Sequence, residues 1–212
     1  MGWMEEVAIY SGASFVGLKR FHGFRGLALA ALALVLLAGC GDTRPPAPRD
    51  ERSLAPYVVS PEMVVEEMLR LSEVGQDDVV YDLGSGDGRI VIMAAKLYGA
   101  RGVGFELDAS LVSQAGANAR RAGVMHLVEF RNQDVLTVDL SPATVVTIYL
   151  SQAANLKLRP ALRTQLRPGA RVVSHDFDMG DWRPHAARPL LDDTGMLRTL
   201  YLWRIPAPQP KP

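Results

Sequence analysis

The sequence has a single cysteine, Cys40, and no excess of either charge. Lysine and arginine together number 23 in the 212 residues, and aspartate and glutamate also number 23. One cysteine excludes an internal disulfide framework and a zinc site built from cysteines. Nucleic-acid-binding domains usually carry a basic excess, so the balanced charge predicts no nucleic-acid partner.

The N-terminal segment lacks the apolar length of a membrane-spanning helix but contains a shorter apolar run. Residues 26–38 read GLALAALALVLLA and follow the basic residues Lys19, Arg20 and Arg25. A basic segment before about a dozen apolar residues is typical of a secretory signal peptide, whereas a spanning helix usually needs roughly 20.

The lone cysteine directly follows this run. Residues 37–40, LAGC, resemble the bacterial lipobox, in which the cysteine sulfur receives a diacylglycerol. We therefore expect residues 1–40 to be a signal peptide or membrane anchor, with Cys40 as the lipidation site of a membrane-associated lipoprotein. The alternative is a short uncleaved anchor with an incidental cysteine. Arginines also follow the run, at positions 44, 49 and 52, so the charge distribution leaves the side of the membrane open.

Proline and charge dominate the segment between the apolar run and the rest of the chain. Residues 41–56 contain DTRPPAPRDERSLAP, which cannot build a core, and we expect an extended tether. Residues 57–204 are expected to form one folded domain. The tail IPAPQPKP, residues 205–212, is expected to be disordered.

Hydrophobic periodicity divides residues 57–204 into strands and helices. Ser60-Pro61 predicts a serine N-cap and a proline at the first position of an amphipathic helix over 61–72. Strands are predicted at VVYDL, GVGFEL, LVEFRNQD, ATVVTIYL and PGARVVSHDF. The intervening helices are RIVIMAAKLYGA, SLVSQAGANARRAG and AANLKLRPALRTQL, the last bent or interrupted at Pro160.

The order of these elements predicts an α/β fold. Alternating strands and helices are typical of a Rossmann-like, doubly wound and mostly parallel sheet. After the fifth strand, AARPLL and MLRTLYLWRI flank DDTG, which favours a C-terminal antiparallel hairpin. The sequence therefore predicts a seven-stranded sheet.

A glycine-rich loop follows the first predicted strand, where open α/β sheets bind their ligands. Gly84, Gly86 and Gly88 are spaced GxGxG, unlike the GxGxxG of dinucleotide-binding proteins, and the loop lacks the GKS or GKT of a P-loop. The neighbouring carboxylates of Asp82 and Asp87 would repel a pyrophosphate. They suit the cationic amino group of S-adenosyl-L-methionine, which is the predicted cofactor.

Acidic residues also end the next two predicted strands. Glu106 can accept hydrogen bonds from both ribose hydroxyls, and Asp134, after Gln133, from the adenine amino group. The nine predicted cofactor-binding residues, with no metal ligand among them, are Asp82, Gly84, Ser85, Gly86, Asp87, Gly88, Glu106, Gln133 and Asp134.

Four segments resemble those of a known family: PYVVSPEMVVEEML (56–69), VYDLGSGDGRIVIMAAK (80–96), ATVVTIYL (143–150) and LRPGARVVSHDFDMGDW (166–182). The chain resembles the seven-β-strand class I methyltransferases. More narrowly, it resembles the mitochondrial lysine methyltransferases that act on the ATP synthase c-subunit and the adenine nucleotide translocase. The resemblance covers roughly residues 54–184 and implies methyl transfer from S-adenosylmethionine to a protein lysine. The lipobox departs from the family pattern.

The predicted catalytic residues lie at the ends of the fourth and fifth strands. A lysine nucleophile must be neutral, and its ordinary pKa is about 10.4, so a desolvated channel with acceptor groups would assist. Tyr149, His175 and Asp176 are predicted to line that channel. Tyr57 and Trp182 are expected either to cover the cofactor or the target, or to serve packing alone.

The segment after the fourth strand bears on the identity of the methyl acceptor. Residues 148–151 read IYLS, without the Asn/Asp-Pro-Pro-aromatic tetrad of enzymes that methylate adenine or glutamine. The lack of this tetrad argues against adenine and glutamine as methyl acceptors. A small-molecule methyltransferase and a non-catalytic S-adenosylmethionine-binding lipoprotein are the remaining alternatives.

Overall fold

The structure, a computed structural model, describes residues 52–207. The predicted signal segment, residues 1–40 with Cys40, lies outside these residues, as does most of the predicted tether. Within residues 52–207, no helix is long and apolar enough to cross a lipid bilayer.

Seven strands form one sheet with the spatial order β3-β2-β1-β4-β5-β7-β6. The strands are β1 Val79–Leu83, β2 Arg101–Glu106, β3 Val128–Asn132, β4 Val145–Ile148, β5 Arg171–His175, β6 Ala186–Leu191 and β7 Leu197–Arg204. The α-helices are α1 Glu62–Leu71, α2 Arg89–Tyr98, α3 Ala109–Arg121 and α4 Gln152–Gln165, and a short 3-10 helix spans Val135–Thr137. Strands β1 to β5 are parallel, whereas β7 is antiparallel to both β5 and β6. The predicted doubly wound sheet with a C-terminal hairpin is confirmed.

Alternate residues of the central strands supply two hydrophobic cores on opposite faces of the sheet. Val80 and Val145 belong to the core shared with α1, α2 and α3. Tyr81 and Val146, each the next residue along, belong to the core that includes α4 through Leu158. With both faces covered, the ligand-binding side of the sheet is its carboxyl edge, where β1 to β5 end.

The first helix begins differently from the prediction. Its N-cap is Pro61, which has no side-chain capping hydrogen bond, and Glu62 is the first helical residue. Ser60 therefore does not cap α1, because its hydroxyl lies 2.8 Å from the imidazole Nδ1 of His175 instead. The Ser60 side chain thus makes a long-range contact with β5 in place of the local capping hydrogen bond.

Helix α4 runs without interruption through Pro160, so the interruption that was one of the two expected effects of this proline does not occur. Proline removes one backbone donor and disfavours a helix interior. Leu158 and Leu162 on either side of it are fully buried in the core beneath the sheet. This packing outweighs the local preference of the proline.

The folded domain extends beyond the predicted boundaries of 57–204. Before residue 57, the carbonyl of Leu54 accepts a hydrogen bond of 3.0 Å from the Ser151 hydroxyl. At the other end Ile205 is buried, and its N–H donates to the Ala170 carbonyl. The ends of the tether and tail segments are therefore hydrogen-bonded to the domain.

A glycine in β2 gives the ligand-binding loop room to fold back over the sheet. Gly104 is the register partner of Asp82 in β1. A Cβ on Gly104 would lie 2.6 Å from the Ser85 hydroxyl and 2.7 Å from the Phe130 ring. The loop after β1 thus packs directly on the backbone of β2.

We predict opposite effects for two glycine-to-alanine substitutions. Gly104→Ala should lower the free energy of unfolding by about 1–3 kcal/mol, since overpacking displaces Ser85. Gly116→Ala, in α3, should raise it by up to about 1 kcal/mol, because alanine favours a helix and its Cβ would meet nothing closer than the Arg120 guanidinium at 3.6 Å. Urea unfolding of both variants tests this, and equal effects would contradict it.

Candidate active site

The glycine loop turns back at the end of β1 and bonds to the end of β2. The N–H groups of Gly84 and Ser85 both donate to the Phe105 carbonyl, at 2.9 and 3.0 Å. Gly88 has a φ of +81°, and a Cβ there would lie 2.6 Å from the Phe130 ring and 2.9 Å from Ala115. Only glycine meets both demands, so the loop is a tightly packed turn.

Glu106 holds the loop in place from the end of β2. One carboxylate oxygen accepts the Gly86 N–H at 2.9 Å, and the other accepts the Leu107 and Asp108 N–H groups at 2.7 and 3.0 Å. The side chain is only partly buried. Glu106 therefore lies next to the loop, as predicted, with its carboxylate oriented by backbone donors.

Asp82 lies beneath the loop rather than at its surface. Its side chain is 2% exposed and accepts a 2.7 Å hydrogen bond from the Thr147 hydroxyl on β4. The pKa of Asp82 is raised to about 7, chiefly by burial; the Thr147 hydrogen bond opposes this shift, and the charges of Glu106 and Asp87 add to it. Asp82 can thus act on a ligand through its charge, but its burial leaves little surface for contact.

Asp87 is paired with an arginine that the sequence reading did not single out. Arg89 donates to both carboxylate oxygens of Asp87, with Nη2 at 2.7 Å from Oδ2. Its other nitrogen, Nη1, donates to the Ser60 carbonyl at 2.9 Å. The carbonyl of Asp87 also accepts from the Asn118 amide at 2.8 Å. The loop is therefore tied to the segment that precedes α1.

Gln133 and Asp134 lie at the same corner of the sheet as Glu106. The Gln133 N–H donates to the Glu106 carbonyl at 3.0 Å. Asp134 caps the short 3-10 helix by accepting the Leu136 N–H on Oδ1 at 2.9 Å. The structure therefore brings the predicted residues of the first three strand ends together around one corner.

The ring of Tyr57 lies over the glycine loop. This position agrees with the first of its two expected roles, which is to cover the cofactor or the target. A Cβ on Gly86 would be 2.6 Å from the Tyr57 ring, which is nevertheless 52% exposed. Partial burial, together with the negative charges of Asp87 and Glu106, raises the pKa of the Tyr57 phenol. The ring is placed to cover a ligand bound at the loop.

These residues fit S-adenosylmethionine in charge. The charges of Asp87 and Glu106 are close enough to Asp82 to raise its pKa. Such a cluster of carboxylates favours a cationic ligand. The buried hydroxyl of Ser85 has no hydrogen-bond partner within the described residues. Glu106 and Asp134 stay the predicted partners of the ribose and the adenine.

The three predicted catalytic residues also lie together. Tyr149 stacks on His175, with ring centroids 3.9 Å apart and an angle of 26° between the planes. Nε2 of His175 lies 3.4 Å from Oδ2 of Asp176. A Cβ on Gly84 would lie 2.6 Å from the side chain of Leu150, the residue after Tyr149, so this cluster adjoins the glycine loop.

His175 does not line a channel, which corrects the prediction. The side chain is fully buried beneath Tyr149, with Nδ1 on the Ser60 hydroxyl. Burial lowers the pKa of His175 to about 4, although the charge of Asp176 raises it. His175 is therefore neutral near pH 7 and supports Tyr149 from below. Burial and the charge of Asp176 in turn raise the pKa of the Tyr149 phenol.

Asp176 is held from β7 by contacts that no sequence motif indicates. Its backbone is left-handed, with a φ of +61°, and its carboxylate accepts the Thr199 N–H at 3.0 Å and Arg198 Nη1 at 3.1 Å. Arg198 also donates to Asp192, a buried residue of the predicted DDTG turn, at 2.8 Å. The C-terminal hairpin thus orients a candidate catalytic carboxylate.

Trp182 serves packing, the second of its two expected roles. Its ring lies 5.6 Å from that of Trp203, between centroids, and its carbonyl accepts the Trp203 indole N–H at 2.7 Å. It belongs to the hydrophobic core on the α4 side of the sheet.

Comparison with known proteins finds a family and close relatives. Residues 82–186 match a family model described as the ANTKMT methyltransferase domain. A protein-lysine N-methyltransferase from Saccharolobus islandicus (strain REY15A) is 43% identical over 151 residues, which cover 71% of this chain and 93% of the relative. The adenine nucleotide translocase lysine N-methyltransferase of Mus musculus is 36% identical over 135 residues, 64% of this chain and 58% of the relative. The chain thus spans less than two thirds of the mouse protein.

Solved structures show the same fold with a related ligand. The crystal structure of an RNA methyltransferase from Salinibacter ruber in complex with S-adenosyl-L-homocysteine has a TM-score of 0.66 and 55% identity, and the match covers 73% of this chain and 98% of that one. TrmN from Thermus thermophilus, at 18% identity and a TM-score of 0.57, shows likeness of fold alone.

Removing the Glu106 carboxylate should weaken cofactor binding. We expect Glu106→Ala to reduce the affinity for S-adenosylmethionine by roughly 1–3 kcal/mol, because the ligand loses an acceptor and the Gly86 N–H loses its partner. Glu129→Ala, an exposed carboxylate on the adjacent strand paired with Arg131, is the matched control and should bind normally. Calorimetry measures both; an unchanged affinity in Glu106→Ala would contradict the assignment.

Proposed function

We propose that this chain, which belongs to the ANTKMT methyltransferase-domain family and is an S-adenosylmethionine-dependent methyltransferase, methylates a lysine of a protein. The observation that carries the proposal is the archaeal relative named as a protein-lysine N-methyltransferase, which is matched at 43% identity over 93% of its length. The family model, which matches residues 82–186, spans both the cofactor loop and the candidate acceptor residues.

The chain's own residues bind and align the reactants. S-adenosylmethionine supplies a methyl group activated by a sulfonium. Glu106 and Asp134 would hold its ribose and adenine, and the carboxylates near the loop favour its positive charge. Tyr149 follows β4 directly, and the adjacent Leu150 packs on the loop at Gly84, so an acceptor next to Tyr149 is near the bound cofactor.

The residues at the ends of β4 and β5 indicate that a substrate lysine becomes neutral by desolvation and not by giving its proton to a histidine. His175 is buried and its pKa is lowered to about 4, which makes it a weak base without access to a substrate. Tyr149 is half-buried above it, beside the carboxylate of Asp176. Loss of hydration at this partly apolar position lowers the pKa of an entering lysine toward the neutral, nucleophilic form. The Asp176 carboxylate acts in the opposite direction, but its charge is offset by the paired Arg198 guanidinium.

RNA and small molecules are the competing acceptors. The relative from Salinibacter ruber is named as an RNA methyltransferase, which makes RNA the stronger of the two. The balanced count of 23 basic and 23 acidic residues gives no basic excess for binding RNA. We therefore propose a protein lysine as the methyl acceptor, in preference to RNA or a small molecule.

We expect label from tritiated S-adenosylmethionine to enter protein when the purified full chain is added to a bacterial membrane fraction. Protease should release the label and ribonuclease should not, and mass spectrometry should find it on lysine. Tyr149→Phe and Asp176→Asn should lower kcat more than cofactor affinity, because both residues lie on the acceptor side of the loop. Label in RNA, in a metabolite or on another amino acid would refute the lysine assignment.

We further propose that the chain is membrane-associated through residues 20–40, as a lipoprotein acylated on Cys40. The apolar run, the basic residues before it and the LAGC sequence support this proposal. Two acyl chains on the attached glycerol are enough for stable anchoring, whereas one chain is marginal. A protein substrate at the membrane would then be within reach of the tethered domain.

The lipoprotein proposal predicts the fate of Cys40→Ser. This variant should fail to incorporate labelled fatty acid and should accumulate as a larger precursor, because the modified cysteine is the cleavage site. Gel mobility and palmitate labelling in bacteria measure both effects. A variant that runs at wild-type size and stays in the membrane would instead identify an uncleaved anchor.

A further inference from the structure

The hydroxyl of Ser60 makes a buried contact with a residue of the candidate acceptor site. Ser60 is 4% exposed, and its Oγ lies 2.8 Å from Nδ1 of His175, although the two residues are 115 positions apart in the chain. The hydroxyl does not cap α1, whose N-cap is Pro61. The contact therefore has no local explanation in the helix that follows.

The surroundings of the second ring nitrogen decide the direction of this hydrogen bond. Nε2 of His175 lies 3.4 Å from Oδ2 of Asp176 and has no hydrogen-bond partner within the described residues. A lone pair on Nε2 facing a carboxylate is repelled, whereas an N–H is attracted. The proton of the neutral ring therefore belongs on Nε2. Nδ1 is then the acceptor, and Ser60 is the donor.

We propose that Ser60 is a positioning residue for methyl transfer: its hydroxyl holds His175 in the Nε2–H tautomer and thereby fixes the ring on which Tyr149 stacks. The inference rests on the proposed function, since it assigns a role within that same acceptor site. Removing the hydroxyl leaves Nδ1 as an unpaired acceptor in a buried position, which is costly. Moving the ring proton to Nδ1 would instead leave a lone pair on Nε2 facing Asp176. Either response disturbs the surface beneath Tyr149.

A second contact of Ser60 makes the role separable from cofactor binding. Its backbone carbonyl accepts Arg89 Nη1 at 2.9 Å, and Arg89 is paired with Asp87 in the glycine loop. Replacing the side chain leaves this carbonyl in place. Loss of the hydroxyl should therefore disturb His175 and Tyr149, whereas the hydrogen bond from Arg89 to the Ser60 carbonyl should stay intact.

Kinetics of three variants of the full chain test the proposal. Ser60→Ala should lower kcat roughly tenfold or more, because small misplacements of an acceptor site are costly, and should change the affinity for S-adenosylmethionine less than about twofold. Ser60→Thr, which keeps a hydroxyl, should restore most of the turnover. Ser53→Ala, in the same segment but with its hydroxyl on the Ala55 carbonyl, should behave as wild type. Unchanged kcat in Ser60→Ala, or a loss confined to cofactor affinity, would overturn the proposal.

The tautomer itself provides a readout that needs no acceptor. Nitrogen-15 NMR of the His175 ring in the wild-type chain should show the proton on Nε2, and Ser60→Ala should shift the ring nitrogens. A wild-type proton on Nδ1 would overturn the inference even if turnover falls. If the lysine assay fails but the tautomer is as expected, the proposed function alone is refuted.

Discussion

The return of the glycine loop onto the end of β2 is the constraint on which the rest of the site depends. The Phe105 carbonyl and the Glu106 carboxylate together accept three N–H groups of residues 84–86. This turn requires a residue without a side chain at Gly104, where Ser85 and Phe130 already fill the space. It also buries Asp82, so the loop is held over a carboxylate whose pKa is raised to about 7. A cationic ligand bound at the loop would stabilise the charged form of this carboxylate.

The segment before α1 connects the two halves of the site. Tyr57 lies over Gly86, the Ser60 carbonyl accepts from Arg89, and the Ser60 hydroxyl contacts His175. On the opposite side, the C-terminal hairpin holds Asp176 through Arg198 and Thr199. The acceptor residues at the ends of β4 and β5 are thus oriented by elements from both ends of the domain, while the parallel sheet supplies their position.

Methyl transfer needs little acid–base chemistry from such a site, and the protonation states that burial favours here agree with that. The pKa of His175 is lowered and those of Tyr149 and Tyr57 are raised, each chiefly by burial. All three groups are therefore neutral near pH 7. The uncharged, partly dry rings of these residues suit a neutral nucleophile better than a lysine that keeps its proton.

The sequence by itself determined the sheet, its hairpin and the cofactor side of the site, because these follow from local patterns. These patterns are the strand and helix periods, the GxGxG spacing and the acidic residues Glu106 and Asp134. They can be identified from the sequence alone, because they do not depend on contacts between distant parts of the chain. Only the tertiary structure decided that Asp82 is beneath the loop, that His175 is buried and that Ser60 contacts it. Each of these depends on partners from distant parts of the chain, and burial by such partners changes what a side chain can do. Pro160 shows the same limit, since packing of α4 on the sheet overrides a local helix breaker.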